Sequence, residues 1–262
     1  MGVLDEILVN KRDELARARG RVPGADLEAR CRGLAPARDF AAALRPRAGA
    51  RVRLIAEVKR RSPSKGLLRA DLDPVAQART CAVAGAAALS VLTDARYFGG
   101  SLADLVAVRA AVDRPILRKE FILDEYQLWE ARAAGADAVL LIVAALGPPA
   151  LRDLFHAAIG IGLGTLVEAH TEAELEAALS LGAPVVGVNN RNLHTLETHL
   201  ETSLRLLPLI PPGPVVVSES GIATRADVER VVAAGAHAVL VGESLVRAPD
   251  VAAAVRELSL AP

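Results

Sequence analysis

Eight apolar, β-rich runs recur along this chain at near-even spacing, with helix-patterned stretches between them. The runs are RLIAEVK (53–59), ALSVLTD (88–94), PILRKEF (115–121), AVLLIVA (138–144), GTLVEAH (164–170), VVGVNN (185–190), VVVSES (215–220) and AVLVGES (238–244). Most lack polar/apolar alternation at their starts, which is the pattern of strands buried on both faces of a parallel sheet. Segments 73–86, 101–112, 124–136, 150–161, 172–183 and 225–236 place apolar residues three and four apart, as helices do. The stretches VAGAAALSVL, AAGADAVLLI, SLGAPVVGVN and AAGAHAVLVG repeat one junction, with Gly85, Gly135, Gly182 and Gly235 between a helix and the next strand. Glycine there can adopt the left-handed conformation that ends a helix, and a repeated junction implies one repeated supersecondary unit. Eight strand–helix units predict an α/β chain of the closed (β/α)8, or TIM-barrel, type. The rival, an open doubly wound sheet, usually carries a Gly-rich fingerprint after its first strand, and EVKRRSPSKG contains no GxGxxG.

Residues 1 to about 50 precede the barrel. Leu4, Ile7, Leu8 and Leu15 form an apolar face on a helix ending near Gly20, and a second short helix is expected over about 39–44. This extension is too small to bury a core of its own. It is expected to pack on the barrel, making 1–262 one domain.

The chain has 262 residues, 52% of them hydrophobic, enough for one large core. Aromatics are only 3%, so Ala, Val, Leu and Ile must build it. Formal net charge is zero, so no Lys/Arg excess exists to neutralise nucleic-acid phosphates. Arg17, Arg19, Arg21, Arg30 and Arg32 alternate with acids and small residues and are read as a solvated helix face. Cys31 and Cys81 are too few for a disulfide framework and suit a reducing compartment as inert thiols. The start, MGVLDEILVNKRDEL, brings acids by position 5 with no apolar core region, unlike a secretory leader, and Glu6 breaks the myristoylation pattern. No apolar run is long and uncharged enough to cross a bilayer. A cytoplasmic protein with no membrane partner is expected.

The carboxyl ends of the barrel strands, where such folds place function, are loaded with polar residues. Glu57 and Lys59 close the first run, Lys119 and Glu120 the third, Glu168 and His170 the fifth, Asn189, Asn190 and Arg191 the sixth, and Ser218, Glu219 and Ser220 the seventh. Side chains alternate along a strand, so Ile55, Glu57 and Lys59 share one face, as do Leu117, Lys119 and Phe121, and Leu166, Glu168 and His170. With those faces inward, two lysines and two glutamates converge on one cavity. A structural salt-bridge network is the plain alternative. Compensating charges gathered at three strand ends instead suit proton transfer, because neighbours can tune their pKa values. The loops SESGIATRAD and VGESLVRAPD after the last two strands occupy the common phosphate position of barrels, where Gly221 and Gly242 permit close backbone approach. Ser62, Arg61 and Lys65 lie in a long loop, about 60–72, of the kind that forms lids. His170 is expected to stand behind the site. His156, His194, His199 and His237 show no HxH or HExxH spacing, so no metal is expected. No GxSxG or catalytic-cysteine pattern occurs.

IAEVKRRSPSKG, LTDARYFGGSLADL, PILRKEFILDEYQLWEARAAGADAVLLI, LVEAHTEAELEAAL, VGVNNRNLHTLE, VVSESGI and AVLVGESL together resemble the indole-3-glycerol phosphate synthase family over nearly the whole chain and in motif order. VLDEILVNKRDEL resembles that family's N-terminal helix. The resemblance implies cyclisation, decarboxylation and dehydration of 1-(2-carboxyphenylamino)-1-deoxyribulose 5-phosphate, without a cofactor. It implies Lys119 as general acid and Glu168 as base or electrostatic partner of a cationic intermediate. Glu57 and Lys59 would be a second acid–base pair linked to dehydration. Which lysine serves ring closure stays open. Asn189 and Ser220 match positions contacting sugar hydroxyls or carboxylate, and Glu219 the remaining buried acid. Ser62, Gly221, Gly242 and Glu243 match the phosphate positions, Glu243 through its backbone N–H. Phe98, Phe121 and Leu140 match the apolar positions that hold the anthranilate ring. Arg118 should point away from the interior, and HTLETHL (194–200) reads as ordinary surface. A monomer acting on a small phosphosugar is expected, although no residue pattern fixes the oligomeric state. The alternatives are another phosphosugar barrel, such as an isomerase, and a catalytically silent barrel scaffold.

Overall fold

The computed structural model describes residues 2–46 and 52–260. Eight parallel strands close into a barrel. They are β1 (Arg53–Val58), β2 (Ala88–Leu92), β3 (Ile116–Lys119), β4 (Ala138–Ile142), β5 (Gly164–Ala169), β6 (Val185–Asn189), β7 (Val215–Glu219) and β8 (Ala238–Val241). β1 pairs in parallel with both β2 and β8, which closes the ring. Every expected run forms a strand. Each stops one to three residues early, because its last residues already belong to the loops of the barrel mouth.

The pleat divides the core in two. Ile55, Leu117, Leu166, Val217 and Leu240 fill the barrel interior. Their strand neighbours Leu54, Ala56, Val91, Val139 and Val167 pack outward against the helices. Both sets are almost fully buried, which is why these strands show no alternation in sequence. The six expected helices all form, spanning Pro74–Val83, Leu102–Ala111, Glu125–Ala133, Pro148–Gly160, Glu172–Ser180 and Arg225–Ala233. Asp73, Ser101, Asp124, Thr171 and Thr224 cap five of them by accepting first-turn backbone N–H groups. Gly85, Gly135, Gly182 and Gly235 end four of them with φ of +111°, +89°, +68° and +114°. The repeated junction is a helix stop that a side chain would strain.

The N-terminal segment forms α1 (Val3–Arg21), α2 (Gly24–Cys31) and α3 (Phe40–Leu44). α2 escapes sequence reading because it buries only Leu27. The arginines from Arg17 to Arg32 are exposed. The two ends of the extension reach opposite ends of the barrel. Phe40 and Leu44 are fully buried beneath it, with Phe40 against Gly164 at the start of β5. Arg53 at the start of β1 donates to the Ala43 carbonyl at 3.1 Å. α1 lies instead across the mouth. Leu4, Ile7 and Leu8 are buried as expected, whereas Leu15 is only half-buried and Lys11 takes the next buried position. Lys11 Nζ meets Glu14 at 2.6 Å, Asp94 at 2.9 Å and Glu120 at 3.0 Å, the last two just past β2 and β3. Among the described residues no helix is long and apolar enough to cross a membrane. Burial pushes the Cys81 thiol up to about 12, so it stays protonated and unreactive.

Candidate active site

A cavity of about 1110 Å³ opens at the carboxyl ends of the strands. All fourteen site residues expected from sequence line it: Glu57, Lys59, Ser62, Phe98, Lys119, Phe121, Leu140, Glu168, Asn189, Glu219, Ser220, Gly221, Gly242 and Glu243. The inward face of β1 carries Glu57, and Lys59 follows it. Their Oε1 and Nζ are 2.5 Å apart. Lys119 ends β3 and reaches two carboxylates at once, Glu168 Oε2 at 2.7 Å and Glu219 Oε2 at 2.9 Å. Both acids are 1% exposed. One ammonium thus holds acids from β5 and β7 across the barrel mouth.

This geometry sets the protonation states. Burial works against the Lys119 ammonium, but Glu168, Glu219 and Glu57 outweigh it and raise its pKa. Burial also opposes ionisation of Glu168, yet Lys119, His170 and the Asn189 side chain bring its pKa below the usual carboxylate range. Glu219 has the same ammonium but faces the Glu168 charge. Burial, helped by that repulsion, pushes it up to about 7. The two acids therefore divide the work: Glu168 is ionised at neutral pH, and Glu219 sits where it can give or take a proton. Oε1 of each is buried without a hydrogen-bond partner, as is Ser62 Oγ. Ser62 belongs to the loop that lines the cavity, where an unsatisfied hydroxyl is placed for a ligand.

Two glycines make room for these acids. A Cβ at Gly187 on β6 would stand 2.2 Å from Glu219 Oε1. One at Gly242 would stand 2.3 Å from Glu57 Oε1 and 3.0 Å from Lys59 Nζ. From sequence, Gly242 is a place of backbone approach in a phosphate loop, and Gly187 has no role. A Gly inside a strand marks close approach of another group, but sequence does not say which group. Ser220 and Gly221 both have left-handed backbone, φ +65° and +75°, turning the chain sharply after β7. For Ser220 that conformation is strained, a feature concentrated at functional sites.

The apolar wall joins Phe98, Phe121 and Leu140 to Leu4 and Ile7 of α1. The rings of Phe98 and Phe121 are 6.3 Å apart. The expectation that 194–200 is ordinary surface is wrong, since Leu196 and Thr198 line the cavity. Asn192 Oδ1 accepts from His194 N and Thr195 N, and Arg191 pairs antiparallel with Thr198, so this polar stretch folds back over the mouth. Arg191, given no role from sequence, also lines the cavity and donates to Ser64 Oγ in the loop after β1. That loop is anchored at its base by Arg60, which is bidentate on Asp104 at 2.6 and 3.1 Å. It carries a small hairpin, Arg61–Ser62 against Gly66–Leu67. Glu243 does not end a strand but opens a short helix, Glu243–Arg247. Arg118 points outward as expected, onto Thr93, the Gln127 carbonyl and Glu130.

The family model for indole-3-glycerol phosphate synthase matches residues 4–258. A protein of that name from Nocardioides sp. is 55% identical over 259 residues, covering 99% of this chain and 98% of its own length. One from Roseiflexus sp. is 52% identical over 264 residues, covering 98% and 97%. Among solved structures, 3-hexulose-6-phosphate synthase from Salmonella typhimurium superposes with a TM-score of 0.64 at 16% identity, over 80% of this chain and 97% of that one. Thiamine phosphate pyrophosphorylase from Pyrococcus furiosus gives 0.60 at 18% identity, over 81% and 96%. These two likenesses speak for the barrel alone. The full-length matches at more than half identity decide the family, and the chain belongs to the indole-3-glycerol phosphate synthases.

Proposed function

We propose that this protein converts 1-(2-carboxyphenylamino)-1-deoxyribulose 5-phosphate to indole-3-glycerol phosphate, CO2 and water, a carbon–carbon lyase step of tryptophan biosynthesis. The observation that carries this reading is the Lys119 ammonium held between Glu168 and Glu219 beside an apolar wall. Ring closure needs an aromatic carbon to attack the ribulose carbonyl. The oxygen of that carbonyl gains negative charge as the bond forms, and Lys119 donates to it. The ring nitrogen then carries positive charge until CO2 leaves, and ionised Glu168 stabilises it. Loss of the hydroxyl as water needs an acid and a base, which Lys59 and Glu57 supply as a pair. Glu219, at about 7, is suited to exchange protons with Lys119 as the cycle proceeds.

Phe98, Phe121 and Leu140 hold the anthranilate ring, while Asn189 and Ser220 contact the sugar hydroxyls or the carboxylate. Ser62, Gly221, Gly242 and Glu243 bind the phosphate, the last by its backbone N–H at the head of its helix. The contacts of α1 and α3 with both ends of the barrel support one domain over 1–262. Two cysteines left as free thiols suit a reducing compartment and support a cytoplasmic location.

Indole fluorescence tests the reaction. Incubation with the substrate should produce it together with one CO2 per turnover. An isomerase would change the sugar and release no CO2, and a silent scaffold would do neither. Gly242→Ala checks the local geometry. The added methyl group must displace Glu57 or Lys59, so kcat should fall about tenfold or more with the thermal melt little changed. Full activity in that variant would show that the pair tolerates movement.

A further inference from the structure

His170 follows β5 and is not among the residues that line the cavity. Glu174, in the first turn of helix Glu172–Ser180, seats it. One oxygen, Glu174 Oε2, accepts the His170 backbone N–H at 2.8 Å and lies 3.1 Å from Nδ1. The other ring nitrogen, Nε2, is 3.5 Å from Glu168 Oε1. Both of these atoms are buried and neither has a hydrogen-bond partner, so each is the nearest candidate for the other. The opposite oxygen of Glu168 is already held by Lys119 at 2.7 Å. The side chains thus run in series from the half-buried Glu174 through His170 and Glu168 to Lys119.

The ring chemistry selects one protonation state. With its Nδ1–H given to Glu174, a neutral imidazole would turn an Nε2 lone pair toward a carboxylate oxygen. Only the imidazolium donates at both nitrogens. The charged groups facing it are Glu168 on its own strand, Glu174 on the following helix and Glu219 on β7, all acidic. Burial works against the charged ring, but these acids outweigh it and raise its pKa.

We propose that His170 is a positioning residue for Glu168: seated on Glu174, it donates Nε2–H to Oε1 and fixes the carboxylate that Lys119 holds by Oε2. This rests on the role given to Glu168 above. Without the imidazolium, Oε1 is free to turn, and Glu168 loses one of the two cations that keep it ionised.

Two measurements test it, one of them independent of activity. In 15N-labelled wild-type protein, both ring nitrogens of His170 should stay protonated at pH 6.5 and titrate above that value. In the turnover assay, His170→Leu should lower kcat about tenfold or more with KM within about threefold. The acidic limb of kcat/KM should move up by about one pH unit, because Glu168 then protonates more easily. His170→Gln keeps a donor in place and should recover much of kcat while leaving the limb displaced. Glu174→Gln should move the limb the same way by less, and it keeps the test open if His170→Leu does not fold. A His170 ring that is neutral at pH 6.5, or a His170→Leu enzyme with unchanged kcat and limb, overturns the proposal. Absence of turnover in the wild type would instead sink the proposed reaction, leaving the ring titration to decide the clamp.

Discussion

Lys119→Met should abolish turnover, by about a thousandfold or more, while substrate binding stays within about tenfold. In the proposed reaction the loss falls on the transition state, because Lys119 would donate to an oxygen that becomes negative only as the ring closes. Binding should survive because the proposed ring contacts and phosphate loops are other residues of the cavity lining. The fold should survive as well. Removing the ammonium strands Glu168 and Glu219, each 1% exposed, but Glu219 already protonates at about 7. Without Lys119 the acids can retain a shared proton and avoid two buried charges. The variant should therefore melt cooperatively, bind a substrate analogue in titration calorimetry and give no indole fluorescence. Turnover within tenfold of wild type would remove Lys119 from the chemistry.

Lys11→Met should be the most destabilising single change of a charged side chain outside the catalytic cluster, by about 3–5 kcal/mol. Lys11 is 4% exposed in its side chain, and its partners Asp94 and Glu120 are 0% and 3% exposed. Methionine fills the space but leaves buried Asp94 without its cation and Glu120 with only Arg118 Nη2, 3.9 Å away. Asp94 must still cap Tyr97 N at 2.7 Å, and Glu120 must still accept from Thr93 Oγ1 at 2.7 Å and Phe121 N at 2.9 Å. Urea unfolding at neutral pH measures the loss, and thermal melts should fall by roughly 10 °C. KM should rise too, since Leu4 and Ile7 of the same helix line the cavity. A change below about 1 kcal/mol would mean that α1 is held by its apolar face alone.

Periodicity made the barrel legible because each strand–helix unit solves the same packing problem with the same residue types. The glycine junctions added punctuation, and all four adopt the left-handed conformation that the repeat demands. The convergence of charges on the cavity was legible for a related reason: alternation puts Glu57, Lys119 and Glu168 inward once their strands are known. Other parts left no periodic trace. Lys11 reads as one more helical surface charge until Asp94 and Glu120 are brought over it from distant positions. Sequence marks Gly242 for backbone approach and gives Gly187 no role, whereas each leaves space for a carboxylate from another strand. The stretch from His194 to Leu200 is polar and reads as surface, but Asn192 turns it back over the mouth. The lysine and the two glycines were missed because their contacts are long-range, which local pattern does not encode.

A crystal structure with a reduced substrate analogue, in which the carbonyl carbon bears a hydroxyl, tests the central claim most directly. That hydroxyl should lie about 2.6–3.2 Å from Lys119 Nζ, within hydrogen-bond reach. The aromatic ring should rest on Phe121 and Leu140, and the phosphate should sit between Ser62, Gly221 and Gly242. An analogue bound with its ring and hydroxyl away from Lys119, or one that Lys119, Lys59 and Glu168 cannot touch together, would contradict the account.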